Sequence, residues 1–290
     1  MRRPIQLLAA SGRSAPPGLP RGGPLSILWR VAPVAGLFLL APLVGEYLLG
    51  NVSIVELPAL PVLALLYGSG AILVRELARR TGRGWPTMLG LGLAYGLLEA
   101  GPIDQTLFNP PGVADAGATY VPAIGLSAAN ALAFVVGHAV WSIGVPIAIV
   151  EALARGRRTT PWLGPICLSV TGALYLLGAV LVFRSTERTE QFLAPLPWRL
   201  GAAVVAAGLV ARWSRRAGWG HRHRLALAGG ALLTYAWGGF LLSFLLGRTD
   251  PVHYLGNAVL AAAAVALLTV TVRRLRRSRG QAQQPTRGVG

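Results

Sequence analysis

The sequence predicts an all-α, polytopic transmembrane helix bundle of about eight spans with both termini in the cytoplasm. Three observations predict it. Hydrophobic residues make up 53% of the 290 and charged residues only 13%, whereas a soluble domain carries about 25% charged. Eight stretches are long and apolar enough to cross hydrocarbon, which takes about 20 residues. All 27 basic residues are arginines, and they gather in alternate connections.

In order, the stretches are 31–50, 55–75, 86–101, 124–150, 162–183, 197–212, 225–246 and 253–272, the third and sixth being short. No period-two alternation of any length runs through them, which excludes a transmembrane β-barrel. With the N-terminus inside, the cytoplasmic segments are 1–30, 75–85, 152–161, 212–224 and 273–290. They hold every arginine except Arg184, Arg188, Arg199 and Arg248. That one-sided alternation is the positive-inside pattern, and an odd number of spans would scramble it.

The domain organisation follows: a basic, disordered N-terminal tail over 1–24, a transmembrane domain over 25–277, and a disordered tail over 278–290. Ile5–Ala10 is too short for the apolar core of a signal peptide. A net charge of +17 distributed in this way marks topology and contacts to membrane lipids, so nucleic acid is not an expected partner. The single cysteine, Cys167, excludes an internal disulfide or a cysteine metal cluster. His138 and His253 lack the i+4 partner of a helical zinc site. No phosphate-binding loop of the Walker type is present. Neither a metal nor a cofactor is expected. The all-arginine, Ala- and Gly-rich usage points to a GC-rich bacterial source and hence to a bacterial inner membrane.

Helices in lipid associate through close backbone approach. Gly68 and Gly70 in the second span, Gly92 and Gly96 in the third, and Gly229, Gly230, Gly238 and Gly239 in the seventh are expected contact points. Trp85, Trp162, Trp198 and Trp213 lie near span ends and read as interfacial anchors. The longest connection, 101–123, carries Asp104, Gln105, the turn Asn109-Pro110-Pro111-Gly112 and Asp115. It reads as a lid or a plain surface loop.

Ionisable groups inside a span are costly and are functional candidates by default. Glu46, Glu99, His138 and, near one end, His253 qualify. Glu56, Arg75, Glu76 and Glu151 lie at boundaries and read as solvated head groups, as do His221 and His223 in a basic loop. A rise of about 1.5 Å per residue sets Glu99 and His138 each about 20 Å from the cytoplasmic boundary, Glu46 about 22 Å and Asn257 about 24 Å. A carboxylate pair, an imidazole and a carboxamide thus fall at one level in the outer half of the membrane. Helical spacing groups Phe134, His138, Trp141 and Ser142 on one side of the fourth span, sets Tyr95 one turn below Glu99, and puts His253 with Asn257.

Two of these spacings resemble a known family. Phe134-Val-Val-Gly-His138 matches F-x-x-x-H, and His253-Tyr-Leu-Gly-Asn257 matches H-x-x-x-N. In that order on separate transmembrane helices, after an E-E-x-x-x-R motif, these patterns resemble the CAAX-protease and bacteriocin-processing (CPBP) family of intramembrane proteases. The resemblance implies that Glu99 is the general base activating a water, His138 its partner, and His253 and Asn257 the groups holding the oxyanion. It implies a membrane-protein or peptide substrate, with Glu46, Tyr95, Phe134, Trp141 and Ser142 around the site. The first motif departs from the family: Ala100 stands for the second glutamate and Asp104 for the arginine. An inactive relative is therefore an alternative. So are a transporter in which Glu46, Glu99 and His138 relay protons or bind a cation, and a structural protein locked by a buried Glu/His pair.

Overall fold

The computed structural model describes residues 24–109, 119–123, 125–189, 191, 193–213 and 250–282. It is helical apart from one two-stranded antiparallel hairpin, β1 (Tyr120–Val121) with β2 (Leu126–Ser127), Tyr120 facing Ser127. Among the described residues seven long helical stretches occur in order: α1 (24–47), α2 (54–80), α3 (85–103), α4 (128–153), α5 (Pro165–Thr189), α6 (Leu196–Trp213) and α7 (Pro251–Ala282).

Among the described residues, five segments are long and apolar enough to cross a membrane: Leu28–Tyr47, Ile54–Arg80, Ala128–Leu153, Pro165–Thr189 and Pro251–Arg273. They coincide with the first, second, fourth, fifth and eighth expected spans. The third and sixth, short in sequence, are the helices α3 and α6. The apolar part of α6, Leu196–Leu209, is shorter than a full crossing. The seventh span, 225–246, lies outside the described residues, as do residues 1–23, 283–290, His221, His223, Asp115 and the Pro110–Gly112 part of the turn. Helix α7 runs on to Ala282, into the stretch expected to be a tail.

The core sits between α1, α2, α3 and α4. Leu37 and Ala41 of α1, Leu66, Tyr67 and Ile72 of α2, Met88 and Tyr95 of α3, and Ile143 and Ile147 of α4 form one buried cluster. Helix α5 packs on α2, α6 on α3, and α7 on α4 and the 54–59 turn. These outer helices turn Ile166, Leu176, Val204 and Leu255 away from the protein, the surface that lipid tails would cover.

Glycines set how near the helices come. A Cβ at Gly68 would lie 2.2 Å from the Phe38 carbonyl oxygen, and one at Gly92 would lie 3.0 Å from the Ala139 Cα. The Phe38 carbonyl is available to that neighbour because Pro42, four residues on, has no N–H to offer it. Residues 101–109, the start of the expected loop, fold back on α3. The Leu107 N–H bonds to the Ala100 carbonyl, and Leu107 and Phe108 are buried beside Ala194 and Ala202.

One end of the bundle holds a group of charges that the sequence reading placed in solvent. Arg75 and Glu76 have no exposure and Glu151 only 2%. Arg75 Nε donates to Glu151 Oε1 at 3.0 Å, its Nη1 to Glu76 Oε1 at 2.9 Å, and its Nη2 to the carbonyls of Arg157, Arg158 and Thr160. Arg79 takes both Glu151 oxygens at 2.9 and 2.6 Å. The N–H groups of Trp162 and Leu163 donate to Glu76, and the Arg75 guanidinium lies 3.3 Å over the Trp162 ring. Trp85 and Trp162 are accordingly buried (2% and 6% exposed) rather than interfacial. The charges went inward because the 154–163 turn supplies three carbonyls and two N–H groups that water would otherwise have to provide.

Breaking a buried pair leaves an uncompensated charge and costs about 3–5 kcal/mol. Glu151→Ala should therefore lower the thermal midpoint in detergent sharply. Arg184→Ala, which removes an exposed pair with Glu187 at 3.0 Å, should shift stability by less than about 1 kcal/mol. Equal effects of the two would show the buried network to be energetically idle.

Candidate functional site

Local helix geometry comes first. Four stretches of the bundle are π-helical: Leu43–Tyr47, Ala64–Gly68, Glu99–Ile103 and His138–Gly144, with a fifth at Leu132–Val136. Their closing bonds run five residues back. The N–H of Leu48 bonds to the Leu43 carbonyl at 2.8 Å and that of Asp104 to the Glu99 carbonyl at 2.8 Å. Ser69 and Val145 likewise bond to Ala64 and Val140. Pro42 precedes the first stretch, Pro102 lies in the third and Pro146 follows the His138 stretch. Each proline withholds an N–H from the regular ladder, which makes room for the wider turn. Such turns occur mostly as single insertions in α-helices, frequently at functional sites.

Each of those four stretches delivers one polar side chain to the same place. Glu99, at 1% exposure, meets His138 across α3 and α4, with Oε2 and Nε2 2.6 Å apart. The Tyr67 hydroxyl donates to Glu99 Oε1 at 2.8 Å. Ser142 Oγ lies 3.0 Å from His138 Nδ1. With the Nε2 proton directed at the carboxylate, Nδ1 of a neutral ring accepts from Ser142. Glu46 completes the group, within electrostatic reach of Tyr67, His138 and Glu99. Its Oε2 accepts from the Asn51 amide at 2.6 Å.

Aromatic rings wall the pair. The Tyr95 ring lies edge-on to His138 (centroids 6.0 Å apart) and to Tyr67 (6.2 Å), and Tyr175 of α5 sits 6.1 Å from Tyr95. The Tyr95 hydroxyl is buried and has no hydrogen-bond partner among the described residues. Glycine again sets the spacing. A Cβ at Gly96 would meet the Val135 carbonyl at 2.7 Å and His138 Cβ at 2.9 Å, and one at Gly45 would meet Ser142 Oγ at 2.6 Å. Gly45 is thus seated against Ser142, whose hydroxyl faces His138 Nδ1.

Phe134 packs with the Ala100–Leu107 cluster, and Trp141 with the main apolar core. The one-sided grouping with His138 and Ser142 assumed a regular helix, and the two π-helical stretches of α4 change the angular spacing. His253 pairs with Asp250 Oδ2, and Asp250 Oδ1 also accepts the N–H groups of Val252 and His253 at the start of α7. Asn257 is buried on the same helix, next to Gly256, where a Cβ would lie 2.4 Å from Ile54. Among the described contacts none joins His253 to Glu99 or His138. Spacing also missed Tyr67, Tyr175 and Asn51. The signal for Tyr67 was a phenol in the run Leu65-Leu66-Tyr67-Gly68, a hydroxyl that burial obliges to find a partner.

Chemically, the arrangement is a buried carboxylate and imidazole 2.6 Å apart. A tyrosine hydroxyl bonds the second carboxylate oxygen, and an unspent phenol O–H lies one turn away. Among the described residues, no group of three or more His, Cys, Asp and Glu side chains is placed to hold a metal ion.

Gly96→Ala should force His138 and α4 back from α3, costing about 1–3 kcal/mol by overpacking. Gly36→Ala, where a Cβ meets nothing within 4 Å, should leave the thermal midpoint unchanged or raise it slightly. A neutral Gly96→Ala would mean that the two helices are not held at this distance.

No curated protein and no solved structure matches the chain. A protein family does match, over residues 37–287, taking in every described residue of the site. The chain belongs to an uncharacterized membrane protein family.

Proposed function

We propose that this is an eight-span integral protein of a bacterial inner membrane, both termini cytoplasmic, in which Glu99 and His138 form an acid–base centre that activates water against a membrane-embedded protein or peptide. The contact between Glu99 Oε2 and His138 Nε2 at 2.6 Å carries the reading. It is buried, joins two helices, and lies within the reach that proton transfer requires.

The CPBP resemblance supplies the reaction class. Glu99 takes a proton from water as the water oxygen attacks the substrate carbonyl. The tetrahedral intermediate collapses, its C–N bond breaks, and the proton returns from Glu99 to the leaving amine. His138 orients the carboxylate and balances its charge. The oxyanion needs positioned donors. The resemblance assigns these to His253 and Asn257, and the unpartnered Tyr95 hydroxyl, one turn from Glu99, is a further donor. The departures at Ala100 and Asp104 keep an inactive, segment-binding relative as the alternative. Exposed Arg80 and Arg158, beside the Arg75 network, suit phospholipid head groups on the cytoplasmic side.

Purified protein reconstituted with a membrane-protein substrate tests the reading. Glu99→Gln should reduce cleavage about 10²–10⁴-fold, the usual contribution of a positioned base, while leaving the fold intact. Loss of proton or ion flux in that variant, without any cleavage to lose, would make the site a carrier's. A change in stability alone would make it a structural lock.

Topology has its own test. Reporters fused near residues 110 and 155 should be exposed on opposite faces of the membrane. Exposure on one face would overturn the eight-span arrangement.

A further inference from the structure

We propose that Glu46 and Tyr67 form a proton-conducting limb that connects Glu99 to the aqueous face at the 48–53 turn. The inference deepens the acid–base reading of Glu99 and His138 and rests on it.

The turn joining α1 to α2 lies at the opposite end of α2 from the Arg75 network. Asn51 is exposed there, and its side-chain amide donates to Glu46 Oε2 at 2.6 Å. Glu46 is almost fully buried (6% exposed) one helical turn inward. The Tyr67 hydroxyl is bonded to Glu99 Oε1 at 2.8 Å and lies within electrostatic reach of Glu46. Glu99 Oε2 then reaches His138 Nε2. Asn51 to Glu46, Tyr67 to Glu99 and Glu99 to His138 span 2.6, 2.8 and 2.6 Å, and Glu46 lies within electrostatic reach of Tyr67. The other groups facing this chain are Asp104 at the end of α3, within electrostatic reach of Glu99, and the phenols of Tyr95 and Tyr175.

A phenol has one proton and two acceptor lone pairs. While Tyr67 donates to Glu99, its oxygen is free to accept from a protonated Glu46. The transfer balances without a tyrosinate. The Glu46 carboxyl proton moves to the Tyr67 oxygen as the Tyr67 proton moves to Glu99 Oε1. Glu46 is left ionised, Glu99 neutral and Tyr67 unchanged in charge. Rotation of the hydroxyl resets the limb, and the reverse sequence discharges Glu99. The two Glu99 oxygens therefore divide the work: Oε1 exchanges protons with the outside, and Oε2 keeps its contact with His138 throughout. A bundle that seals its base from bulk water needs such a route, since a base that has taken a proton must lose it before the next cycle.

Solvent exchange of the His138 ring N–H, followed by ¹⁵N-edited NMR on histidine-labelled protein in phospholipid nanodiscs, tests the limb without any substrate. The signal is identified by its disappearance in His138→Gln. Glu46→Gln and Tyr67→Phe should each slow exchange about tenfold or more, because each removes a transfer step within hydrogen-bond reach. Glu56→Gln, a carboxylate close to the same turn but outside the chain, should leave the rate unchanged. Unaltered exchange in both limb variants would overturn the proposal. Should Tyr67→Phe fail to fold, Glu46→Gln decides alone, since its amide oxygen still accepts from Asn51. Slowed exchange together with undiminished activity in Glu99→Gln would keep the limb and remove the hydrolase. Normal exchange with activity lost in Glu99→Gln would do the opposite.

Discussion

A carboxylate carried into an apolar bundle needs donors at once, because hydrocarbon supplies neither water nor dipoles and the effective penalty per ion is several kcal/mol. Glu46, Glu76, Glu99 and Glu151 are all buried, and each finds its donors on another segment of the chain or a nearby turn. Glu151 of α4 is met by arginines from α2, Glu76 by the 154–163 turn, and Glu99 of α3 by α2 and α4. Removing one of these contacts would leave a buried charge less fully compensated. The glycine approaches, the wide turns and the mutual register of α1 to α4 all serve to bring the donors within reach.

The two polar layers differ in how completely they are satisfied. Around Arg75 every guanidinium nitrogen has an acceptor. That saturation suits an anchor which holds one helix pair and one turn in a single arrangement. Around Glu99 the network is continuous but leaves the Tyr95 O–H unspent. Leaving a buried donor unpaired costs about 1–3 kcal/mol, and native structures keep few such groups. The contrast separates a layer that only holds from a layer with capacity left to bind.

Much of this was legible before any coordinates, since lipid imposes the simplest rules. The five apolar spans, the glycines between them and the meeting of Glu99 with His138 follow from hydropathy, small-residue placement and equal depth. What the sequence hid has a common physical cause: it concerns partners rather than periods. Arg75, Glu76 and Glu151 look like boundary charges until the 154–163 turn folds over them. Tyr67 looks like one more apolar-run aromatic until two carboxyls arrive at its hydroxyl. Phe134 and Trp141 were grouped with His138 by counting in threes and fours, and the π-helical stretches of α4 alter that angular spacing. Proline at 42, 102 and 146 was the available warning.

The wide turns have a consequence for how the two layers coexist. Each accommodates a surplus residue, and each residue advances a regular helix by about 100°. The part of α2 or α4 beyond the turn is therefore rephased against the part before it. One portion can stay keyed to the charged anchor while the other is dialled independently toward the dyad. Reshaping the end that holds Glu99 and His138 then needs no change at the anchored end: the molecule carries its own joint between permanence and adjustment.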